Sequence, residues 1–198
     1  MSRDLSRKLV GVLALQGDFE AHTRALERAG ADAVQVRTAE ELNSVDGLVI
    51  PGGESTTMLK LLNYMNLKEP LREFAATKPV FGTCAGAILL AKEVLSPSQE
   101  SFGLMDLTVE RNAYGRQIDS RVAHISPDAA FEKRAGPGDM EAVFIRAPII
   151  RRTGPEVNVL AEYEGDPVLV EQGRHLVATF HPELTQDSRV HRLFLSKL

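Results

Sequence analysis

The sequence has one cysteine, no apolar run long enough to cross a membrane and no excess of basic residues. A single cysteine cannot form an internal disulfide, and in a reducing compartment its thiol can act as a nucleophile. The longest apolar run, Leu9 to Leu15, is far too short for a bilayer. It also lacks the small-residue cleavage site of a secretory signal, which predicts a cytoplasmic protein without membrane attachment. A formal net charge of -4 argues against nucleic-acid binding, which leaves a basic footprint.

The composition is that of an ordinary globular protein. Of its 198 residues, 43% are hydrophobic and 25% are charged. A chain of this length suits one domain with a single sizeable core. Because no repeat, low-complexity tract or linker divides the chain, we expect a single domain over residues 1–198.

The first half of the chain alternates short apolar segments with helical patterns. The predicted strands are Lys8–Leu15, Ala33–Val36, Gly47–Ile50 and Pro79–Gly82. The predicted helices lie between Gly17 and Gly30, after an N-cap at Ser55, and from about Ala85 to Val94. Repeated strand–helix–strand units of this length predict a parallel sheet with helices on both faces.

The second half of the chain predicts strands separated by Gly, Pro and Asp. They are Leu104–Glu110, Arg121–Ile125, Ala142–Ile145, Val157–Tyr163, Val168–Glu171 and His175–Phe180. Breaks at 165–167 and 172–174 are short enough for hairpin turns, so the last three strands are predicted to be antiparallel. Asp128–Asp139 is predicted to be a loop and Ser188–Leu198 a helix. The predicted fold class is therefore α/β, a mostly parallel central sheet with helices on both faces and antiparallel strands in the C-terminal half.

The sharpest local motif is Gly82-Thr83-Cys84-Ala85-Gly86, which has the form of a nucleophile elbow with Cys in place of Ser. A strand is predicted before it and a helix after it, as that motif requires. A tight strand-to-helix turn pushes the nucleophile outward, and flanking glycines relieve the crowding. The helix N-terminus favours a thiolate. The alternative is a buried cysteine that packs as a small hydrophobe.

A thiol nucleophile needs a base and a group that orients that base. Of the five histidines, only His181 follows a strongly apolar strand and has a carboxylate, Glu183, two residues further on. If this segment is extended, both side chains project to the same side, so Glu183 can orient the imidazole toward Cys84. The remaining histidines, which are His22, His124, His175 and His191, are predicted to be structural or exposed.

Attack on an amide carbonyl creates an oxyanion that needs preplaced N–H donors. One is expected from Ala85, the residue after the nucleophile. The other is expected from the Pro51-Gly52-Gly53 turn, which ends the strand next to the one carrying Cys84. Ligands in open α/β sheets bind at the carboxyl ends of strands, which is where both turns are predicted.

Together these motifs resemble those of the class I, or triad, glutamine amidotransferases, with a flavodoxin-like sheet, and within them the glutaminases that serve pyridoxal 5'-phosphate synthesis. The resemblance covers nearly the whole chain. It is carried by Leu15-Gln16-Gly17, Gly52-Gly53-Glu54-Ser55-Thr56-Thr57, Gly82-Thr83-Cys84-Ala85-Gly86, Val109-Glu110-Arg111-Asn112, Phe144-Ile145-Arg146-Ala147-Pro148 and Phe180-His181-Pro182-Glu183-Leu184-Thr185.

The resemblance implies hydrolysis of L-glutamine to glutamate and ammonia, without a metal or organic cofactor. A separate synthase (lyase) subunit, joined in a hetero-oligomer, would use the ammonia with ribose 5-phosphate and glyceraldehyde 3-phosphate. By motif match, the glutamine site is lined by Gly53, Glu54, Ser55, Arg111, Ile145 and Arg146. The same match assigns Gln16 and Gly17 to a loop that completes the oxyanion site when the partner docks.

Two alternatives stay open at the level of sequence. One is a glutaminase that serves another synthase, such as the partner used in histidine biosynthesis. The other is a non-catalytic or redox-sensing module on a similar sheet, in which the elbow cysteine is the sensor. The His181-Pro182-Glu183 motif counts against the second alternative, since a sensor does not need it.

Overall fold

The chain folds around a seven-stranded sheet in a computed structural model that describes residues 7–112 and 120–198. Its strands, in chain order, are β1 (Leu9–Leu13), β2 (Asp32–Val36), β3 (Gly47–Ile50), β4 (Val80–Thr83), β5 (Ala91–Leu95), β6 (Met105–Glu110), β7 (Ser120–Ile125), β8 (Met140–Ile145), β9 (Ile149–Thr153), β10 (Asn158–Tyr163), β11 (Asp166–Gln172) and β12 (His175–Ala178). The helices are α1 (Phe19–Ala29), α2 (Ala39–Asn43), α3 (Ser55–Tyr64), α4 (Lys68–Thr77), α5 (Ala85–Leu90), α6 (Ala129–Ala135) and α7 (Arg189–Leu195), with a 3₁₀ turn at Pro182–Leu184.

The central sheet has the spatial order β10-β11-β12-β4-β3-β1-β2. Strands β1 to β4 and β12 run parallel, while β11 is antiparallel to both β10 and β12. Strands β5, β6 and β9 form a second sheet, and β7 and β8 form a two-stranded ribbon. The predicted α/β class, with its parallel centre and antiparallel C-terminal strands, is confirmed.

Helices cover both faces of the central sheet because successive side chains of a buried strand point in opposite directions. In β1, Val10 and Val12 pack into the core that also holds Leu26 of α1 and Leu193 of α7. Leu13 points the other way, into the core formed with α2 to α5. The two cores hold the sheet rigid, and its strand ends can therefore position catalytic groups.

The predicted helix Ala85–Val94 is half right, because α5 ends at Leu90 and the chain continues as β5. In β5 the side chains of Ala91 and Val94 are buried while Lys92 is exposed. This segment pairs with β6, and tertiary pairing overrides the helix propensity of its residues. Among the residues that the structure describes, no helix is both long and apolar enough to cross a membrane.

The predicted loop Asp128–Asp139 is also wrong in part, since it begins with helix α6. Asp128 is the N-cap and accepts a hydrogen bond from the backbone N–H of Phe131, whose ring is fully buried. The glycines and the proline follow the helix. There Arg189 donates hydrogen bonds to the carbonyl oxygens of residues 136, 137, 138 and 139, which ties this loop to α7.

Candidate active site

Cys84 lies in the turn between β4 and α5, at the carboxyl end of the strand. Its backbone has φ 48° and ψ -102°, a conformation that costs about 1–3 kcal/mol for a residue with a side chain. The backbone N–H of Cys84 donates to the carbonyl oxygen of Ala178 at 2.9 Å, so the neighbouring strand β12 holds the strained turn in place. The structure therefore gives Cys84 the elbow geometry that the motif predicts.

The glycines on either side of the elbow are required by close backbone contacts. A Cβ atom at Gly82 would lie 2.6 Å from the carbonyl oxygen of Gly86, and one at Gly86 would overlap the carbonyl oxygen of Ile50. Real Cβ atoms essentially never come this near to backbone. Glycine is therefore required at position 82 for the tight turn itself and at position 86 for the packing of the elbow against β3.

His181 and Glu183 follow β12, the strand next to the one that carries Cys84. Nδ1 of His181 lies 2.7 Å from Oε1 of Glu183, and the carboxylate is buried. The expectation of an extended segment here is wrong, because Pro182–Leu184 forms a 3₁₀ turn. The turn still folds the carboxylate back onto the ring, so the predicted pair forms by a different backbone route.

The charge state of His181 is set by its two neighbours. Burial alone would lower the pKa of this imidazole, but its interactions with Cys84 and Glu183 outweigh burial and raise the pKa to about 10. At neutral pH the ring is therefore cationic. A cationic imidazole beside a cysteine stabilises the thiolate, which is the nucleophilic form of the side chain.

Cys84 lies between two adjoining depressions in the surface. One, of about 70 Å³, contains every residue predicted to bind glutamine, namely Gly53, Glu54, Ser55, Arg111, Ile145 and Arg146. The other, of about 190 Å³, is lined by Gly17, Gly52, His181 and Glu183 among others. Cys84 thus has a candidate substrate cavity on one side and the His181–Glu183 pair on the other. In residues 7–112 and 120–198, no group of His, Cys, Asp or Glu is arranged to hold a metal ion.

Arg111 lies in the wall of the smaller cavity with only 9% of its surface exposed. Its guanidinium donates to the hydroxyl oxygen of Thr56 at 3.0 Å. The predicted N-cap role of Ser55 is wrong, since Glu54 is the N-cap of α3 and the Ser55 hydroxyl instead donates to Oε1 of Gln99 at 3.0 Å. A fixed, buried guanidinium beside these groups suits a substrate carboxylate.

The loop after β1 packs directly on the Pro51-Gly52-Gly53 turn. Oε1 of Gln16 accepts a hydrogen bond from the backbone N–H of Glu54 at 2.9 Å. Gly17 has φ 91°, and a Cβ atom there would overlap the carbonyl oxygen of Gly52. The predicted activation residues therefore contact the loop that carries Gly53. Ala85, the other predicted donor, is buried at the start of α5.

Two histidines that the sequence analysis treated as structural lie directly behind this site. His22 of α1 and His191 of α7 are fully buried, and Nε2 of His22 is 3.2 Å from Oε2 of Glu183. The sequence held a signal for His22, since it lies three residues after Phe19 and three before Ala25 on the apolar side of α1. A polar ring on that side needs a buried partner.

A cysteine elbow beside a buried imidazole–carboxylate pair is the arrangement typical of one class of protein, the triad glutamine amidotransferases. Residues 12–198 match the model of the SNO glutamine amidotransferase family, and the chain belongs to that family.

Named relatives and solved structures agree with the family match. The chain is 69% identical over 191 residues to the pyridoxal 5'-phosphate synthase subunit PdxT of Solibacter usitatus, covering 96% of this chain and 100% of the relative. It is 58% identical to the protein of the same name from Koribacter versatilis, covering 94% and 93%. A crystal structure of a glutamine amidotransferase superposes with a TM-score of 0.86 at 46% identity, covering 95% and 97%. The predicted family is confirmed.

Proposed function

We propose that this chain is the cytoplasmic, single-domain glutaminase subunit of a pyridoxal 5'-phosphate synthase. It hydrolyses L-glutamine and delivers the ammonia to a synthase subunit. The family match and the relatives' names support this function. The observation that carries it is the position of Cys84, which lies in the wall of the cavity lined by Arg111 and beside the His181–Glu183 pair.

The first half of the reaction forms a thioester. The Cys84 thiolate attacks the side-chain carbonyl carbon of glutamine, and the backbone N–H groups of Gly53 and Ala85 hold the oxyanion. Cationic His181 then donates its proton to the leaving nitrogen. The C–N bond breaks, ammonia departs, and the glutamyl group stays on the sulfur.

The second half releases glutamate. Neutral His181 takes a proton from a water molecule, whose oxygen attacks the thioester carbon. The C–S bond breaks, glutamate leaves, and the thiolate and cationic imidazole are restored. Glu183 keeps Nδ1 of the ring protonated in both halves, so Nε2 is the nitrogen that exchanges the proton.

Substrate binding follows from the charges around the cavity. The guanidinium groups of Arg111 and Arg146 suit the α-carboxylate of glutamine, and Glu54 offers a charge opposite to the α-ammonium group. Ser55 and Ile145 complete the wall next to Cys84. This arrangement suits a free amino acid, since its α-carboxylate and its α-ammonium group each find a group of opposite charge.

Activity is proposed to depend on the synthase subunit, because free ammonia would otherwise be wasted. The side chain of Gln16 accepts a hydrogen bond from the N–H of Glu54, which links the loops at 16–17 and 52–54. Docking of the partner near Gln16 and Gly17 would change the orientation of the Gly53 peptide and complete the oxyanion site. Glycine at positions 17 and 53 makes such a backbone change inexpensive.

The function is tested by mixing the chain with a pyridoxal 5'-phosphate synthase subunit, ribose 5-phosphate and glyceraldehyde 3-phosphate, and measuring the product. Glutamine should support product formation with the wild-type chain and fail to do so with Cys84→Ala. An ammonium salt should restore product formation with the variant, which shows that the synthase subunit is intact. Equal product from glutamine with Cys84→Ala would contradict the proposal. Stimulation of a different synthase alone would favour the alternative acceptor.

A further inference from the structure

A chain of buried polar groups continues from the active site into the protein. His22 of α1 places Nε2 3.2 Å from Oε2 of Glu183 and 3.0 Å from the hydroxyl oxygen of Thr83. Its other nitrogen, Nδ1, lies 3.2 Å from Nε2 of His191 on α7. His22, Thr83 and His191 are each 0% exposed. Polar groups buried this deeply are costly unless they bond to one another.

The surroundings make both histidines neutral. Burial lowers the pKa of His22, and burial lowers the pKa of His191 to about 3. The ring of Phe81 closes the cluster from the side, with its centroid 6.3 Å from that of His22 and 5.9 Å from that of His191. The charged or titratable groups that face the two rings are Glu183, His181, Asp18, Arg28 and Asp187.

The close contact between His22 and the carboxylate of Glu183 selects one set of tautomers for the two neutral rings. An ionised carboxylate carries no proton, and a lone pair on Nε2 of His22 would face Oε2 of Glu183 at 3.2 Å. The proton of His22 is therefore assigned to Nε2, from which it is donated to the hydroxyl oxygen of Thr83 while facing the carboxylate. Nδ1 of His22 is then an acceptor, and Nε2 of His191 must carry the second proton. This leaves Nδ1 of His191 as a bare lone pair, and within the described residues that atom indeed has no hydrogen-bond partner.

The cluster therefore has a direction. The donors run from His191 to His22 and from His22 to the hydroxyl oxygen of Thr83, with Oε2 of Glu183 3.2 Å from the same Nε2, while Oε1 of Glu183 accepts from His181. Oε1 of the carboxylate is hydrogen-bonded to the reacting imidazole, whereas Oε2, which has no hydrogen-bond partner among the described residues, faces Nε2 of His22 from behind.

From this geometry we infer that His22 is a positioning residue: it holds the buried carboxylate of Glu183 ionised and turned toward His181, and His191 fixes the tautomer in which His22 does so. The inference rests on the proposed function only in naming glutamine as the substrate. Without the Nε2 donor, the buried carboxylate would take up a proton at a higher pH or rotate away from His181. The thiolate–imidazolium pair would then form over a narrower pH range.

The single cysteine of the chain provides a readout that does not depend on the substrate. The rate at which iodoacetamide alkylates Cys84, followed by mass, is measured against pH in wild type, His22→Leu and His22→Gln. His22→Leu removes the donor at similar volume, and His22→Gln returns an N–H donor to it. The control is His175→Gln, since His175 is also a buried histidine but accepts from the N–H of Val80 at the opposite end of β4.

In His22→Leu we expect the midpoint of the curve of alkylation rate against pH to rise by about one pH unit. Alkylation at pH values below the midpoint should then be about tenfold slower than in wild type. In the complex with the synthase subunit, kcat for glutamine should fall while KM stays near the wild-type value. His22→Gln should return the midpoint toward wild type, and His175→Gln should leave it unchanged. A wild-type midpoint in folded His22→Leu, or an equal shift in His175→Gln, would overturn the inference.

A second measurement uses the wild-type chain and is independent of whether His22→Leu folds. Long-range ¹H–¹⁵N NMR correlations report which ring nitrogen carries the proton, and we expect Nε2–H for both His22 and His191. A proton on Nδ1 of His22 would aim a lone pair at Glu183 and overturn the inference. If the alkylation and NMR results hold but glutamine is not hydrolysed with the partner, the proposed function fails and this inference stands.

Discussion

The α-carbon of Gly52 lies against the imidazole of His181. A Cβ atom at Gly52 would overlap Cε1 of the ring, at 3.2 Å from Nδ1 and 3.3 Å from Cβ of Cys84. The turn that ends β3 thus limits the space between the imidazole of His181 and Cys84, although Gly52 itself has no side chain.

Gly52→Ala should therefore reduce glutaminase activity at least tenfold by displacing His181, at a cost of about 1–3 kcal/mol in the free energy of unfolding. Initial rates and urea denaturation measure the two effects. Gly173→Ala is the control, because an added Cβ at Gly173 has nothing within 4 Å, so this variant carries the cost of a side chain at φ 55° without any contact with His181. Equal activity in the two variants would show that the contact with His181 is unimportant.

Cys84→Ser should abolish glutamine hydrolysis while the fold and partner binding persist. The substitution removes little volume, but an alkoxide forms far less readily than a thiolate at neutral pH. Ammonia release in the presence of the synthase subunit measures the loss, and co-elution with that subunit checks the fold. Activity above a few per cent of wild type would remove Cys84 from the mechanism.

His181→Ala should be about as damaging as loss of Cys84, because members of such a set act as a unit. Glu183→Gln should be milder, since the amide can still contact Nδ1 at 2.7 Å but no longer balances the positive charge of the ring. The comparison is made from kcat of the two variants at saturating glutamine. A lower kcat for Glu183→Gln than for His181→Ala would show that the roles are assigned wrongly.

Partner activation should raise glutaminase activity tenfold or more, a barrier change of roughly 1.4 kcal/mol or greater. Gln16→Ala should blunt this rise without preventing glutamine binding, because it removes the hydrogen bond to the N–H of Glu54. Gly17→Val should be more severe, since its Cβ would overlap the carbonyl oxygen of Gly52. Activity measured with and without partner tests this, and wild-type activation in both variants would defeat it.

The free energy of unfolding should fall as the pH is lowered from about 6.5 to 4. Burial lowers the pKa of His175 to about 4 and that of His191 to about 3, so in this range the unfolded chain binds protons that the folded chain does not. The raised pKa of His181 affects stability in a different pH range. Its contribution to the free energy of unfolding is complete below pH 6.5 and is lost as the pH rises toward 10.

Urea denaturation at pH 7, 6 and 5 tests this dependence. In His175→Gln the free energy of unfolding should fall less steeply with pH than in wild type, because one of the buried histidines with a lowered pKa has been removed. A free energy of unfolding that stays constant over these pH values would contradict the assignment of buried, neutral rings.

The sequence predicts the sheet well where its signals are local. The apolar runs of β1, β3 and β4 each end in a turn motif, and the hairpins around β11 are marked by short turns. Strands β5 and β9 were missed because each is defined by pairing with β6, and a non-local contact leaves no local periodicity.

The same distinction applies to the active site. The sequence identifies Cys84, His181 and Glu183 because each lies in a short motif at a strand end. His22 was not identified, since an amphipathic pattern records that a face is buried without recording what it is buried against. Its role depends on α1 packing beside the 3₁₀ turn, where Arg28 also donates to the carbonyl oxygen of Thr185.

The pairing of β12 with β4 has a consequence for synthesis of the protein. The ribosome delivers Cys84 well before His181, and the two belong to strands that become neighbours only when the C-terminal strand inserts. Until then the elbow lacks the backbone bond from Ala178 as well as its base. Under the proposed mechanism, a chain that stops before His181 lacks the base, and glutamine hydrolysis must wait until residues 175–183 have been synthesised and have packed beside β4.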